Sequence, residues 1–235
     1  NMLDIPRRAS VALSDDLRPF RSTFARDIFR QKYAHEGCET WDKLAHTLVQ
    51  DVMRGLVPDD LVDGTYEVIR DMKFIPGGRY LYYAGRPLRA WNNCYLFRSL
   101  EDSREDWARI SWQAESALMT GGGIGNVYSI YRPRGARLSR TGGEASGPIP
   151  KMIMVNEIGR HVMQGGSRRS AIWAGLHWWH GDIKDFLHVK DWYSMPVGRT
   201  GFTIGEVKEQ DFNFPAPLDM TNISVLYDDR WLNEV

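Results

Sequence analysis

The chain has 235 residues, with 30 basic and 30 acidic side chains, 43% hydrophobic and 26% charged. That suits a soluble globular protein with a real core, and a formal net charge of zero argues against a dominant basic surface for duplex nucleic acid. No run is long and apolar enough to span a bilayer, and the polar start from Asn1 to Arg8 lacks a signal-peptide core. A cytoplasmic protein without membrane or direct DNA partners is expected.

Residues 1–19 are weakly patterned and read as an N-terminal arm. Residues 20–75 read as a helical domain. Phe20, Phe24, Ile28 and Phe29 recur at helical spacing. Thr40 can cap a second helix that turns Trp41, Leu44, Leu48, Val49, Val52 and Met53 inward and ends at Gly55. Leu61 to Met72 forms a third. The texture changes at the Pro76-Gly77-Gly78 turn, where a second region, 76–235, begins.

In that region Asn93 to Phe97 reads as a short strand. Ser103 to Asp106 resembles a capping box opening a helix through Trp107, Ile110, Ala114 and Leu118. The run Gly121 to Gly125 reads as a tight turn before a strand from Val127 to Tyr131. A loop from Arg132 to Pro148 leads to a helix through Ile149, Met152, Ile153 and Val162, stopped by Gly165-Gly166. Arg169 to Leu176 reads as a strand, and Asp182 as the cap of a short helix. Asp191 to Thr221 reads as long and irregular before a strand from Asn222 to Tyr227. A further helix starts at Asp228. Alternating strands and helices imply parallel pairing with helical crossovers, and four strands do not close a barrel.

Two cysteines are too few for a disulfide framework. Cys94 sits on the first strand. From its segment alone a buried, inert thiol is the commoner outcome, the alternative being a redox thiol that needs a partner. Cys38 is expected to face solvent near a helix start. The glycine run lacks a following Gly-Lys-Ser/Thr and lies after a helix rather than before one, so it fits neither common phosphate-cradling pattern. Arg132 to Arg140 carries four arginines and no acid, with Lys151, Arg168 and Arg169 following. Such a cationic patch suits a nucleotide triphosphate, or else is simply a solvated loop. His177, His180 and His188 stand beside tryptophans without a convincing ligand set, and no metal site is expected.

Several ordered segments together resemble one family. These are Phe74-Ile75-Pro76-Gly77-Gly78-Arg79, Asn93-Cys94-Tyr95-Leu96, Glu101-Asp102-Ser103, the Gly121–Gly125 run, Arg132-Pro133-Arg134-Gly135, Thr141 to Pro148, Gln164 to Arg169, and Asn222-Ile223-Ser224-Val225. The family is the ribonucleotide reductase large (catalytic) subunit, and the likeness is greatest to the adenosylcobalamin-dependent class II enzymes. The resemblance implies an α/β fold in which an N-terminal helical region is followed by the first half of a ten-stranded α/β barrel, incomplete in this chain. It implies radical reduction of ribonucleotides to 2′-deoxyribonucleotides. Cys94 then corresponds to one member of the reducing cysteine pair, and Asn93, Gly122 and Gly123 lie against the substrate.

The same resemblance implies an effector site for a deoxynucleoside triphosphate or ATP, built from Arg132 to Gly143 and Asp191 to Thr221. Asp102 would serve the effector ribose, and Arg134 or Arg140 its phosphates. The family's radical-bearing finger loop and second barrel cysteine do not occur in this sequence. A second polypeptide is therefore expected to supply them and to hold most of the adenosylcobalamin. An external thioredoxin-like dithiol and a dimer of heterodimers complete the expected partners. The alternative from another class is a non-catalytic nucleotide-binding regulatory or docking subunit.

Overall fold

A computed structural model describes residues 18–162 and 170–234. The Gly165-Gly166 stop, Arg168 and Arg169, and nearly all of the expected arm lie outside the described residues. The chain divides into two compact units, Asn1–Trp91 and Asn92–Val235. No helix among the described residues is long and apolar enough to cross a membrane.

Among the described residues the first unit holds four helices: α1 (Thr23–Lys32), α2 (Trp41–Met53), α3 (Asp59–Arg70) and α4 (Gly78–Tyr83). Ser22 and Thr40 cap α1 and α2 by accepting from Ala25 N–H and Lys43 N–H, each at 3.2 Å, which satisfies donors the helices leave free. The Phe20, Phe29 and Trp41 rings meet at centroid distances of 5.3 to 6.1 Å over Leu44, Leu48, Val49, Val62 and Ile69. Trp41 Nε1–H donates to the Ile69 carbonyl at 3.0 Å, so the indole is buried without an orphaned donor.

Three expectations fail in this unit. Phe24 is exposed rather than inward, because α1 begins only at Thr23 and Phe20 enters the core from the preceding turn. Cys38 is buried at 1% exposure, since Gly37 at φ 85° turns the chain back and places the thiol in the core. The texture change at residue 76 falls inside the unit, as α4 contributes Leu81 and its cap Ala84 to the same core. Tyr80 stacks on Trp91 at 5.4 Å, and the division follows Trp91.

The second unit contains a four-stranded sheet in the order β1 (Cys94–Arg98), β2 (Gly123–Val127), β3 (Ile172–His177) and β4 (Thr221–Leu226). Each neighbouring pair is parallel, as the alternating pattern implied. Parallel strands need long crossovers. These carry α5 (Arg104–Met119), α6 (Pro148–His161), then α7 (Ile183–His188) and α8 (Ile204–Gln210), and α9 (Asp229–Glu234) follows β4. Tyr95, Phe97, Ile124, Ile172, Ala174, Leu176, Ile223 and Val225 pack under the helices with Ala114, Leu118, Met152, Val155 and Phe186. The alternate residues form the other face of the sheet.

Gly121, at φ 77°, does turn the chain out of α5, but the strand expected from Val127 already starts at Gly123, so the rest of the run is strand or leads into it. Gly125 within β2 and Gly122 just before it make room for aromatic rings from neighbouring strands. A Cβ at Gly122 would lie 2.5 Å from the Tyr95 ring, and one at Gly125 would lie 3.0 Å from the Trp173 ring. The stretch 191–221 is ordered rather than irregular: a short 3₁₀ turn, Trp192–Ser194, precedes α8, which opens with a full capping box of Thr203 and Glu206.

Two helix glycines should respond oppositely to alanine. Gly64 is exposed within α3 with nothing near its absent side chain, so Gly64→Ala should stabilise by about 0.5–1 kcal/mol. A methyl at Gly159 of α6 would collide with Ile172 and Ser170, so Gly159→Ala should destabilise by about 1–3 kcal/mol. Urea unfolding measures both signs.

Candidate functional site

β1 alternates strictly, so Cys94, Leu96 and Arg98 point to the face opposite the helices and all three are exposed. The parallel register sets Cys94 beside Gly123 and Leu96 beside Gly125. Cys94 is thus an exposed free thiol, against the residue-level preference for a buried one. The side chains beside it are small: Gly123 has none, and a Cβ there would lie 3.4 Å from both Cys94 Sγ and Ala171 Cβ. Asn93 is exposed, and its carbonyl accepts from Gly123 N–H at 2.8 Å, tying the start of β1 to β2. Gly122 meets the Tyr95 ring instead.

Further along this face, Trp173 fills the room left by two glycines. It is paired with Gly125, its ring would obstruct a side chain at Gly175, and its Nε1–H donates to Ser224 Oγ at 2.9 Å.

The segments that follow the carboxyl ends of β1, β2 and β3 meet in a second cluster. The Asp102 carboxylate accepts from Arg132 N–H at 3.3 Å and pairs with the Arg132 guanidinium. Arg134 donates its backbone N–H to Asp182 at 3.1 Å and pairs with Asp185 at 3.2 Å. Residues 135–145 fold into a short hairpin arm. In it Gly135 N–H donates to Ala145 O at 2.9 Å and Leu138 N–H donates to Gly143 O at 3.0 Å. Arg137 and Arg140 are exposed on this arm. Asp102 and the arm are thus near neighbours through Arg132.

The other expected effector segment, 191–221, is held elsewhere. Asn156 Oδ1 of α6 accepts from Thr221 Oγ1 at 2.8 Å and Met220 N–H at 2.9 Å. Asp219 is bound by Arg160 and Lys208. These contacts fix the segment at the amino end of β4, the opposite end of the sheet from Asp102, Arg134 and Arg140. Burial pushes the Asp219 carboxyl up, but the Arg160 and Asn156 hydrogen bonds outweigh this and hold it below the usual range.

Beneath the arm runs a buried polar network that the sequence did not announce. Asp106, read as half of a capping box, is 3% exposed. Ser103 does accept from Asp106 N–H at 3.1 Å, but the Asp106 carboxylate turns inward. It accepts from Tyr131 Oη–H at 2.7 Å, from Leu100 N–H at 3.2 Å and from Arg109. Burial raises the Asp106 carboxyl, and these donors more than offset it, leaving a depressed pKa.

Lys151 is also fully buried instead of joining a surface cationic patch. It donates to Ser111 Oγ and lies 5.4 Å from the Trp107 ring centre. Burial lowers its pKa to about 8, with Asp106 opposing the shift.

His177 and His180 serve local structure. His177 Nδ1 bonds Ser129 Oγ at 2.8 Å, and His180 Nε2 meets the Tyr131 carbonyl at 2.7 Å. Trp178 Nε1–H donates to Asp228 at 2.9 Å. Among the described residues no group of three or more His, Cys, Asp or Glu is placed to hold a metal ion.

A parallel sheet carrying an exposed thiol on its first strand, with crossover helices on the opposite face, is the beginning of an α/β barrel. Residues 92–199 match the family described as ribonucleotide reductase, barrel domain. Over 123 residues the chain is 34% identical to a vitamin B12-dependent ribonucleoside-diphosphate reductase of Mycobacterium tuberculosis, covering 52% of this chain and 18% of that protein. It is 31% identical over 128 residues to the ribonucleoside-diphosphate reductase large chain of Schizosaccharomyces pombe, covering 54% and 16%. The class Id ribonucleotide reductase alpha subunit of Actinobacillus ureae superposes with a TM-score of 0.68 at 14% identity, over 91% of this chain and 34% of that one, and so shares the fold. In sequence and fold the chain is similar to part of the ribonucleotide reductase large subunits, and it spans well under half the length of these relatives.

Two outcomes check this geometry. A chromogenic disulfide reagent should titrate one thiol quickly, Cys94, and the second, Cys38, only in denaturant; two fast equivalents would contradict the burial described. Folding disfavours the Lys151 ammonium, so its cost is fully present below about pH 8 and fades as pH rises toward the unfolded lysine value near 10.5. Lys151→Met should therefore stabilise by about 1–3 kcal/mol at pH 7 and by less at pH 10, measured by denaturant unfolding at both.

Proposed function

We propose that this chain supplies the first strands of a ribonucleotide reductase barrel, and that Cys94 is one of the two thiols that reduce a ribonucleotide to its 2′-deoxy form. The observation that carries this reading is the Cys94 thiol, exposed on the first strand beside Gly123, where side chains are smallest. The chemistry balances with a second thiol. Two thiols give up two electrons and two protons, the ribose 2′-hydroxyl leaves as water, and a disulfide forms. An external thioredoxin-like dithiol then reopens it by exchange.

The second thiol and the radical-bearing loop belong to parts of the family that this chain does not span. Those parts would also cover the sheet face opposite the helices, where Leu96 is 76% exposed. The mycobacterial relative is named as vitamin B12-dependent, and adenosylcobalamin is the radical source this reading favours. The described residues present an open sheet face rather than a corrin-sized cradle. The cofactor is therefore assigned to the remaining barrel, and no step here is routed through it.

Asp102, Arg134 and Arg140 are proposed to read a deoxynucleoside triphosphate or ATP effector. The arm's exposed guanidiniums suit phosphate oxygens, and Asp102 at its root suits ribose hydroxyls. A groove of about 870 Å³ between α5 and α6, lined by Met119, Ile153, Met154 and Ile158, suits a second copy of the chain in a dimer.

In the complete enzyme, Cys94→Ser should cut multiple turnover with an external dithiol by about three orders of magnitude or more while substrate still binds. Undiminished multiple turnover in that variant refutes the thiol assignment.

A further inference from the structure

The hairpin arm rises from two stems, Tyr131 to Arg134 on entry and Ala145 to Gly147 on exit, and both stems meet one tripeptide after β3. His180 Nδ1 accepts from Asp182 N–H at 3.0 Å, which assigns the ring proton to Nε2. That Nε2–H donates to the Tyr131 carbonyl at 2.7 Å. Both Asp182 carboxylate oxygens accept from Arg134 N–H at 3.1 Å. Gly181 lies under Pro133, where an added Cβ would sit 2.8 Å from the proline ring. A Cβ at Gly147 would collide with the Asp182 carboxylate, so the same side chain also abuts the exit stem.

His180 is 4% exposed and Asp182 is 7% exposed, so these bonds are shielded from water. Asp182 also occupies the cap position of α7, yet makes no side-chain cap hydrogen bond there. A carboxylate at a cap would ordinarily stabilise its helix. Here it is turned to the arm instead. Residues 139–144 at the arm's tip are exposed and held by the arm's own ladder, so the root fixes where the tip points.

We propose that His180, Gly181 and Asp182 form a clamp on the root of the arm, and that His180 and Asp182 are positioning residues that set its affinity for a nucleotide triphosphate. This rests on the reading of Asp102, Arg134 and Arg140 as a phosphate-reading site. A clamped arm presents its guanidiniums already ordered. An unclamped arm must be ordered at the expense of binding.

The test uses the whole chain, with dATP as the probe in calorimetry and amide hydrogen exchange as the structural readout. Asp182→Ala should speed exchange at Arg134, Gly135 and Ala145 by about tenfold or more while β3 amides stay protected, and should weaken dATP binding by about tenfold. Asp182→Asn keeps one acceptor oxygen and should fall between the two, and protected β3 amides certify that each variant is folded. Unchanged exchange at the arm overturns the clamp. Faster exchange with undiminished dATP affinity overturns the positioning role. If the unaltered chain binds no dATP, the effector reading fails and the affinity claim falls with it, while the exchange result still decides the clamp.

Discussion

Crossover helices bury only one face of this parallel sheet, and everything else in the second unit follows from what the other face is made of. On that face β2 and β3 offer Gly123, Gly125, Val127, Trp173, Gly175 and His177, beside Cys94, Leu96 and Arg98 of β1. Parallel sheets are stable when both faces are covered. On the proposed reading a face this rich in glycine receives an inserted segment of the remaining barrel, which leaves room for the thiol to meet a sugar.

The carboxyl ends of the same strands have the reverse character. There Asp106, Tyr131, Arg109, His180 and Asp182 are linked by hydrogen bonds in surroundings mostly closed to water. Such a network is stable only when its members are satisfied together. It anchors α5 through Asp106, the stem of the arm through Tyr131 and Arg134, and the turn into α7 through Asp182. The sheet thus separates a glycine-rich face from a densely bonded polar rim, and the proposed chemistry and regulation divide along the same line.

What the sequence made legible was local. The start of α2 could be read from Thr40 and the apolar spacing that follows it, whereas α4, which opens at the Pro76-Gly77-Gly78 turn, could not. The alternation of strand and helix after residue 90 could be read too, because parallel crossovers leave that signature. The misreadings share one cause. Gly123 to Gly125 looks like a turn until Trp173, distant in sequence, claims the space over Gly125. Lys151 looks like part of a basic surface until Ser111 and Trp107 of α5 enclose it. Cys38 and Cys94 exchange their expected burial because a positive-φ turn at Gly37 folds one inward, while strand pairing turns the other out. The candidate effector residues Asp102, Arg134 and Arg140 do fall at one end of the sheet. Asp191 to Thr221 does not, since Asp219 and Thr221 are bound to α6 at the other.

Trp173 carries a consequence for whatever fills the sheet's empty side. Its indole already occupies the central layer, lying across two strands and pinned at its nitrogen by Ser224. An inserted segment therefore finds little vacancy midway along the strands. The free volume lies toward the Cys94 end, where Gly123 and Ala171 offer no more than a hydrogen and a methyl group. On the proposed reading the tryptophan, two strands from the thiol, acts as a fixed partition between the two ends of the face.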